Sequence, residues 1–544
     1  MSPLSELLTT SMAWLREHGG ELMLYTHIIL AALFPIYTGA HSSLSQPSSA
    51  AKSEQTDEDE EEAIQMMEGL SASDAVVFPV TAGLVLATLY WLIKRYGADI
   101  INVILAWYFA GTSIFSVAKL FSDGAELCLS FIFPRYFAVA GQLYEVKERE
   151  VVTSKGQDSS RVSPLPGFLG RLPLSKVMWT VRSALKQKYT LEAYVKALLD
   201  AKSDFTVLDV TGLLVGIAAV AYNSFVAKPW WLTNVQGFAV SYFALQLISP
   251  TSFDIGSLVL CGLFFYDIWA VFFTPLMVTV ATKLDQPIKL LFPRPDADTA
   301  KRAYSMLGLG DIVLPGLMVG LALRFDLFMF YSRQQAKSAN GDATKVPYTP
   351  VRGQWGSRFW TRGLPKTSLP ATLRNAAFPK PYFTASIIGY TSGMVATLAV
   401  MSTFQHAQPA LLYLVPAVLS SVWGTAAVRG ELRAMWLYSE ELSGEALADV
   451  VKNDSAKNTQ GNVDKSWYET IRDALFGSNL GKSGSNDDQA KGDADVKKQK
   501  PAEHVTAAAE QPDTVFSMTI KRRLNTIKQV GTAAQSSEDI SKHT

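Results

Sequence analysis

LVLCGLFFYDIWAVFFTPLMVTV, residues 258–280, and LGLGDIVLPGLMVGLALRF, residues 307–325, are apolar runs long enough to cross a bilayer, and each holds an aspartate, Asp267 in the first and Asp311 in the second. An ionisable side chain at that depth costs about 2.5–3.5 kcal/mol even on a lenient insertion scale, and normally faces a bundle interior or a water-filled cavity. Two of them on successive spans point to one shared task. They also set the class of the chain, an all-α membrane protein.

Working outward, the remaining sequence carries the same signature. Of 544 residues 48% are hydrophobic and 18% charged, and the mean hydropathy is positive, a balance typical of multi-pass membrane proteins. Runs at 22–37, 75–93, 100–119, 210–226, 230–247, 383–404 and 411–428 join the first two to predict a bundle of nine transmembrane helices. The first run begins too far in, without a basic flank or a small-residue cleavage site, and is read as a retained span. The formal net charge is zero, with acidic and basic residues segregated, so no nucleic-acid footprint is present and membrane lipid is the expected surrounding. Cys128 and Cys261, the only cysteines, form neither a disulfide framework nor a zinc cluster and are read as small buried hydrophobes.

The polar material predicts the domain plan. Residues 1–74 hold the first helix and an acidic loop, SEQTDEDEEE at 53–62, too charged to bury. Residues 75–440 form the core, with long polar loops at 122–204 and 332–380. Residues 441–544 make a tail rich in Asp, Lys, Ser, Gln, Gly and Ala. Loops and tail are expected to be disordered, apart from a short amphipathic helix around 467–476. Basic residues in both long loops place them in the cytosol under the positive-inside tendency, which puts the amino terminus in the lumen and the tail in the cytosol. The sequon Asn453-Asp454-Ser455 would then stay unmodified.

A lone intramembrane carboxylate is more often a structural hydrogen-bond partner or part of an ion pathway than a hydrolytic group. Here the local sequence adds to it. Tyr266 precedes Asp267, and Asp311 ends Gly308-Leu309-Gly310-Asp311, whose glycines let the backbone extend or approach another chain. Gln408-Pro409-Ala410-Leu411 opens the last span, where Pro409 favours a helix start and Ala410 leaves room for close approach.

In that order the three motifs resemble those of the presenilin and signal peptide peptidase family of intramembrane GxGD aspartyl proteases. The flanks KPWWLTNVQG (228–237), PIKLLFP (287–293) and QPALLYLVP (408–416) are more similar to the signal peptide peptidase branch. The resemblance implies a presenilin-like bundle with Asp267 and Asp311 as the catalytic pair. Tyr266, Gly308, Leu309, Gly310, Gln408, Pro409, Ala410 and Leu411 would support the site or the substrate. It further implies an endoplasmic reticulum membrane protein that cuts remnant signal peptides and other type II-oriented transmembrane peptides, without a cofactor or metal. A homo-oligomer and membrane-protein degradation factors are the other partners it admits. A presenilin-like protease, a quality-control scaffold and a proton-coupled transporter are the alternatives.

The chemistry follows from two carboxyl groups around one water. Amide hydrolysis needs a base for the water and an acid for the carbonyl oxygen and the leaving nitrogen, and two aspartates that share one proton supply both. Desolvation and mutual repulsion disfavour two charges in one site, so sharing is expected. Depth is the difficulty. If the sixth span runs to residue 280, Asp267 lies about 20 Å from its end, whereas Asp311 is only a few residues into the seventh. Pro275 and the extended Gly308-Leu309-Gly310 are expected to resolve this by breaking the sixth span and delaying the seventh. Tyr266 is either a hydrogen-bond donor near the pair or an amphipathic packing residue. His27 and His406 are isolated and read as hydrogen-bonded or interfacial side chains, while Asp209, Asp254 and Asp326 at span ends are read as solvated.

Overall fold

A computed structural model describes residues 3–51, 68–147, 151–153, 163–167, 175–195, 199–275, 279–280, 283–284, 288–294, 304–338, 345–404, 408–440 and 516–522. Its frame is helical: α1 (Pro3–Ser42), α2 (Ala72–Tyr96), α3 (Ala98–Ile132), α4 (Ser175–Lys186), α5 (Val207–Phe225), α6 (Trp230–Leu247), α7 (Phe253–Phe272), α8 (Gly310–Ser338), α9 (Trp355–Trp360), α10 (Ala371–Asn375), α11 (Pro381–Phe404), α12 (Leu411–Arg429) and α13 (Leu432–Trp436). Among the described residues eight helices are long and apolar enough to cross a membrane: the 19–42 part of α1, then α2, α3, α5, α7, α8, α11 and α12. The ninth expected span, α6, forms as a helix but falls outside that set. Asn234, Gln236 and Ser241 lower its hydropathy, and all three are buried inside the bundle, where protein rather than lipid surrounds them.

α8 is the hub, packed against α1, α6, α7, α11 and α12. It is buried along nearly all of its apolar length, whereas α2 is exposed along nearly all of its own. α2 lies against α7, α3 against α5 and α6, and α11 against α12. The α3–α5 contact shows why glycine sits where it does. A Cβ at Gly212 would stand 2.6 Å from the Ala118 carbonyl oxygen, and one at Gly216 2.5 Å from that of Ile114. Glycines four apart thus clear one face of α5 so that two backbones touch, a substitute for the hydrophobic drive that lipid does not supply.

Several expected boundaries move. α7 ends at Phe272, before Pro275, and not at residue 280. α8 begins at Gly310, because the preceding residues form strand β9 (Tyr304–Gly308). The polar connections, expected to be disordered, carry ordered elements. β2 (Tyr136–Val139), β3 (Gln142–Val146) and β4 (Val151–Thr153) form an antiparallel sheet, with Ala140 and Gly141 both at positive φ in the two-residue turn between β2 and β3. Phe137, Val146 and Val151 bury one small core against Trp179 of α4 and Trp360 of α9, so an apolar face holds this connection together. β1 (Glu68–Leu70) pairs in parallel with β7 (Ile248–Pro250), and α9 and α10 lie within the 332–380 connection. A separate unit contains β5 (Lys188–Val195), β6 (Leu199–Thr206) and β10 (Phe516–Arg522) in the order β10-β5-β6. A strand from the tail was not expected; the 467–476 segment and the sequon lie outside the described residues. Cys128 is exposed and Cys261 half-buried, so neither is the buried hydrophobe expected.

Asp326 also departs from its solvated reading. It is 3% exposed on α8, and its carboxylate accepts the backbone N–H groups of Tyr382 (3.2 Å) and Phe383 (2.9 Å). These are among the unpaired donors at the start of α11, so Asp326 caps that helix from a different one.

Candidate active site

β8 (Lys289–Pro293) and β9 (Tyr304–Gly308) form an antiparallel pair that leads straight into α8. On α6, the Asn234 side chain grips β8 through both of its amide atoms. Its Nδ2 donates to the Leu291 carbonyl (2.9 Å) and its Oδ1 accepts the Leu291 N–H (2.7 Å). Asn234 therefore occupies the outer edge of β8 as a neighbouring strand would. The Leu309 N–H donates to the Ile288 carbonyl (3.1 Å), which carries the pairing on to the edge of the helix. Leu309 is buried with a methyl 3.4 Å from where a Gly237 Cβ would stand, and its carbonyl accepts from Ile312 and Val313 to start α8. Gly310 and Asp311 are the first two helical residues.

Asp267 is 5% exposed on α7, five residues before the helix ends at Phe272, or about 7.5 Å at helical rise. The shorter α7 and later α8 thus reduce the offset in depth expected between the two aspartates. They are close enough for the charge on Asp267 to act on Asp311. A Cβ on Gly308 would stand 3.3 Å from Asp311 Oδ2, so the bare glycine leaves space beside that carboxyl.

Pro409, Ala410 and Leu411 join the same place from the third motif. The Leu411 N–H, an unpaired donor at the start of α12, donates to Asp267 Oδ2 (3.2 Å). Ala410 at the cap has no side-chain acceptor of its own, so that amide stays free for the aspartate. The Pro409 carbonyl accepts from Leu412 and its ring is buried; Gln408 precedes it, half-buried. The Tyr266 ring lies 3.3 Å from the Cβ position of Gly83 on α2, and its hydroxyl makes no hydrogen bond within the described residues. His27 sits edge-on to Phe292 and Trp230, and His406 lies outside the described residues.

Two residues at this site escaped the sequence reading: Asn234, quoted within a flank but given no task, and Tyr390. Tyr390 is fully buried on α11, and its hydroxyl donates to the backbone carbonyl of Asp311 (3.3 Å). No local signal marked it, since α11 carries eight other hydroxyl side chains, Tyr382 and Thr391 among them.

Asn234→Ala is expected to slow cleavage several-fold, since it strands one donor and one acceptor of β8, at about 1–3 kcal/mol for a buried unpaired group. Faster amide exchange at Leu291 is the accompanying signal, and unchanged exchange would contradict the clamp.

The family model of signal peptide peptidases matches residues 59–442, most of the chain and all of the motifs above. The chain belongs to the signal peptide peptidase family. It is 26% identical over 433 residues to the signal peptide peptidase of Mus musculus, covering 79% of this chain and 87% of that one. The Homo sapiens protein of the same name is 26% identical over 423 residues, 77% and 84% of the two chains. Intramembrane protease 2 of Caenorhabditis elegans is 33% identical over 259 residues, 47% of this chain and about half (48%) of that relative. These matches place the chain among multi-pass membrane proteases.

Proposed function

We propose that this protease of the signal peptide peptidase family is an aspartyl endopeptidase whose catalytic residues are Asp267 and Asp311. The observation that supports the reading is a pair of adjoining helices, α7 and α8, each bearing one aspartate and both packed against α12, whose first amide holds Asp267. The ionised member takes a proton from water, whose oxygen attacks the scissile carbonyl carbon. The protonated member gives its proton to the carbonyl oxygen. Collapse of the resulting gem-diol breaks the C–N bond as the amine nitrogen takes up a proton, and the pair is again left with one. The Leu411 amide holds Asp267 in place without consuming either proton.

The substrates proposed are remnant signal peptides and other type II-oriented spans in the endoplasmic reticulum membrane, with the amino terminus of the enzyme lumenal and its tail cytosolic. A helical substrate hides its carbonyls in its own hydrogen bonds, so a segment must uncoil before attack. β9 supports a place for it: its one partner among the described strands is β8, whose far side Asn234 occupies. The other edge of β9, next to Gly308 and Asp311, has no strand partner among the described residues and is where an added strand would pair. Replacing helix-breaking residues of a designed transmembrane substrate with leucine should slow its cleavage about five- to twentyfold, given about 1 kcal/mol or more of helix preference per glycine replaced; equal rates would count against uncoiling.

The deciding experiment reconstitutes the purified protein with a type II signal peptide, with and without a peptide transition-state mimic bearing a hydroxyl at the scissile position. Aspartate-dependent, mimic-sensitive product supports the proposal. Client binding that ignores both aspartates would indicate a scaffold, and aspartate-dependent proton flux without product a transporter.

A further inference from the structure

In an α-helix the carbonyl of residue i accepts the N–H of residue i+4. For Asp311 that donor would come from residue 315, which is proline, inside the first turns of α8. Pro315 has no N–H, so the Asp311 carbonyl loses its helical partner at the very residue that bears the carboxyl. A buried carbonyl left without a donor is costly, and a turn that lacks its closing bond is free to change its dihedrals. One donor comes from outside the helix: the Tyr390 hydroxyl, 3.3 Å away on α11.

Tyr390 has its own requirement. It is fully buried in the main apolar core, where a phenolic hydroxyl needs an acceptor. A phenylalanine would fill the same space without that need. The hydroxyl is thus matched to the vacancy that Pro315 creates, and the two residues, 75 positions apart, form one device.

We propose that Tyr390 is a positioning residue for Asp311: by donating to the carbonyl that Pro315 leaves unpaired, it fixes the first turn of α8 and so the direction in which the Asp311 carboxyl points. The inference rests on the proposed role of Asp311 and adds to it a helix not implicated by any of the three motifs. Tyr390 touches neither substrate nor the reacting carboxyl oxygens in this account. Its removal acts on the rate of the chemical step, because alignment of the acid–base pair is what it controls.

The test uses the full chain in phosphatidylcholine vesicles with a type II signal-peptide substrate, and four variants: Tyr390→Phe, Pro315→Ala, the two together, and Asp311→Asn. Tyr390→Phe should lower kcat about tenfold with KM within about twofold, the pattern of an interaction that matters in the transition state rather than in binding. Pro315→Ala supplies the missing N–H from within the helix, so adding it to Tyr390→Phe should restore most of the lost kcat. A space-filling role for the tyrosine would show no such rescue. If Tyr390→Phe alone folds poorly, recovery of both folding and turnover in the double variant still tests the device. A Tyr390→Phe enzyme as fast as the parent, or a double variant no better than the single, overturns the inference while inactive Asp311→Asn leaves the protease reading standing. Active Asp311→Asn would instead overturn that reading, and this one with it.

Discussion

Asp267→Asn and Asp311→Asn are each expected to reduce peptide-bond cleavage by about a thousandfold or more, since each removes one half of an acid–base pair worth about 10²–10⁴-fold per proton transfer. Asparagine keeps the size of the side chain and, at position 267, an amide oxygen that can still accept the Leu411 N–H. Folding should therefore survive, and a thermal melt close to the parent's separates lost chemistry from lost structure. The double variant should be no slower than either single one, because residues that act as a unit are not additive. Product formation by either purified single variant, free of parent enzyme, would sink the dyad.

The second large effect is expected far from the site. Arg324 is buried on α8, and its guanidinium pairs with Glu440 (2.5 Å), donates to Ser43 at the end of α1 (2.9 Å) and to Ser249 on β7 (2.5 Å). The Glu440 N–H in turn donates to the Thr251 carbonyl (2.9 Å). One side chain thus gathers the hub helix, the first helix, the β7 strand and the last described residue of the bundle. Arg324→Met leaves Glu440 without its cation, and breaking a buried pair from one side costs about 3–5 kcal/mol. Adding Glu440→Met removes the stranded charge and should recover much of that loss. Ser43 and Ser249 already have carbonyl acceptors of their own, Ala40 at 3.0 Å and Pro250 at 3.1 Å, so neither is abandoned. Denaturation midpoints in detergent check this, and a double variant less stable than Arg324→Met would contradict it.

The class of the fold and the two central aspartates were legible because charge inside apolar sequence is rare and its order along the chain was specific. What hydropathy could not read was where an apolar run stops being a helix. Residues 273–280 are as greasy as those before them, yet α7 ends at Phe272 just ahead of Pro275, and that ending reduces the depth mismatch between Asp267 and Asp311. The same blindness works in reverse for α6, whose buried Asn234, Gln236 and Ser241 look like poor membrane residues until their surroundings are known. Asp326 looked solvated because its partners, the amides of Tyr382 and Phe383, are more than 50 residues away. Tyr390 and Arg324 escaped for the same reason: their work lies in tertiary contacts that no local period encodes.

Strand addition at the margin of β9 that has no partner among the described residues would have a consequence for selectivity. A row of amides and carbonyls greets every L-peptide alike, since the groups it engages are common to all of them. An enzyme that receives its clients there would sort them by how cheaply they surrender their coil rather than by which letters they spell, and would tolerate sequence drift in its targets so long as a weak turn persisted.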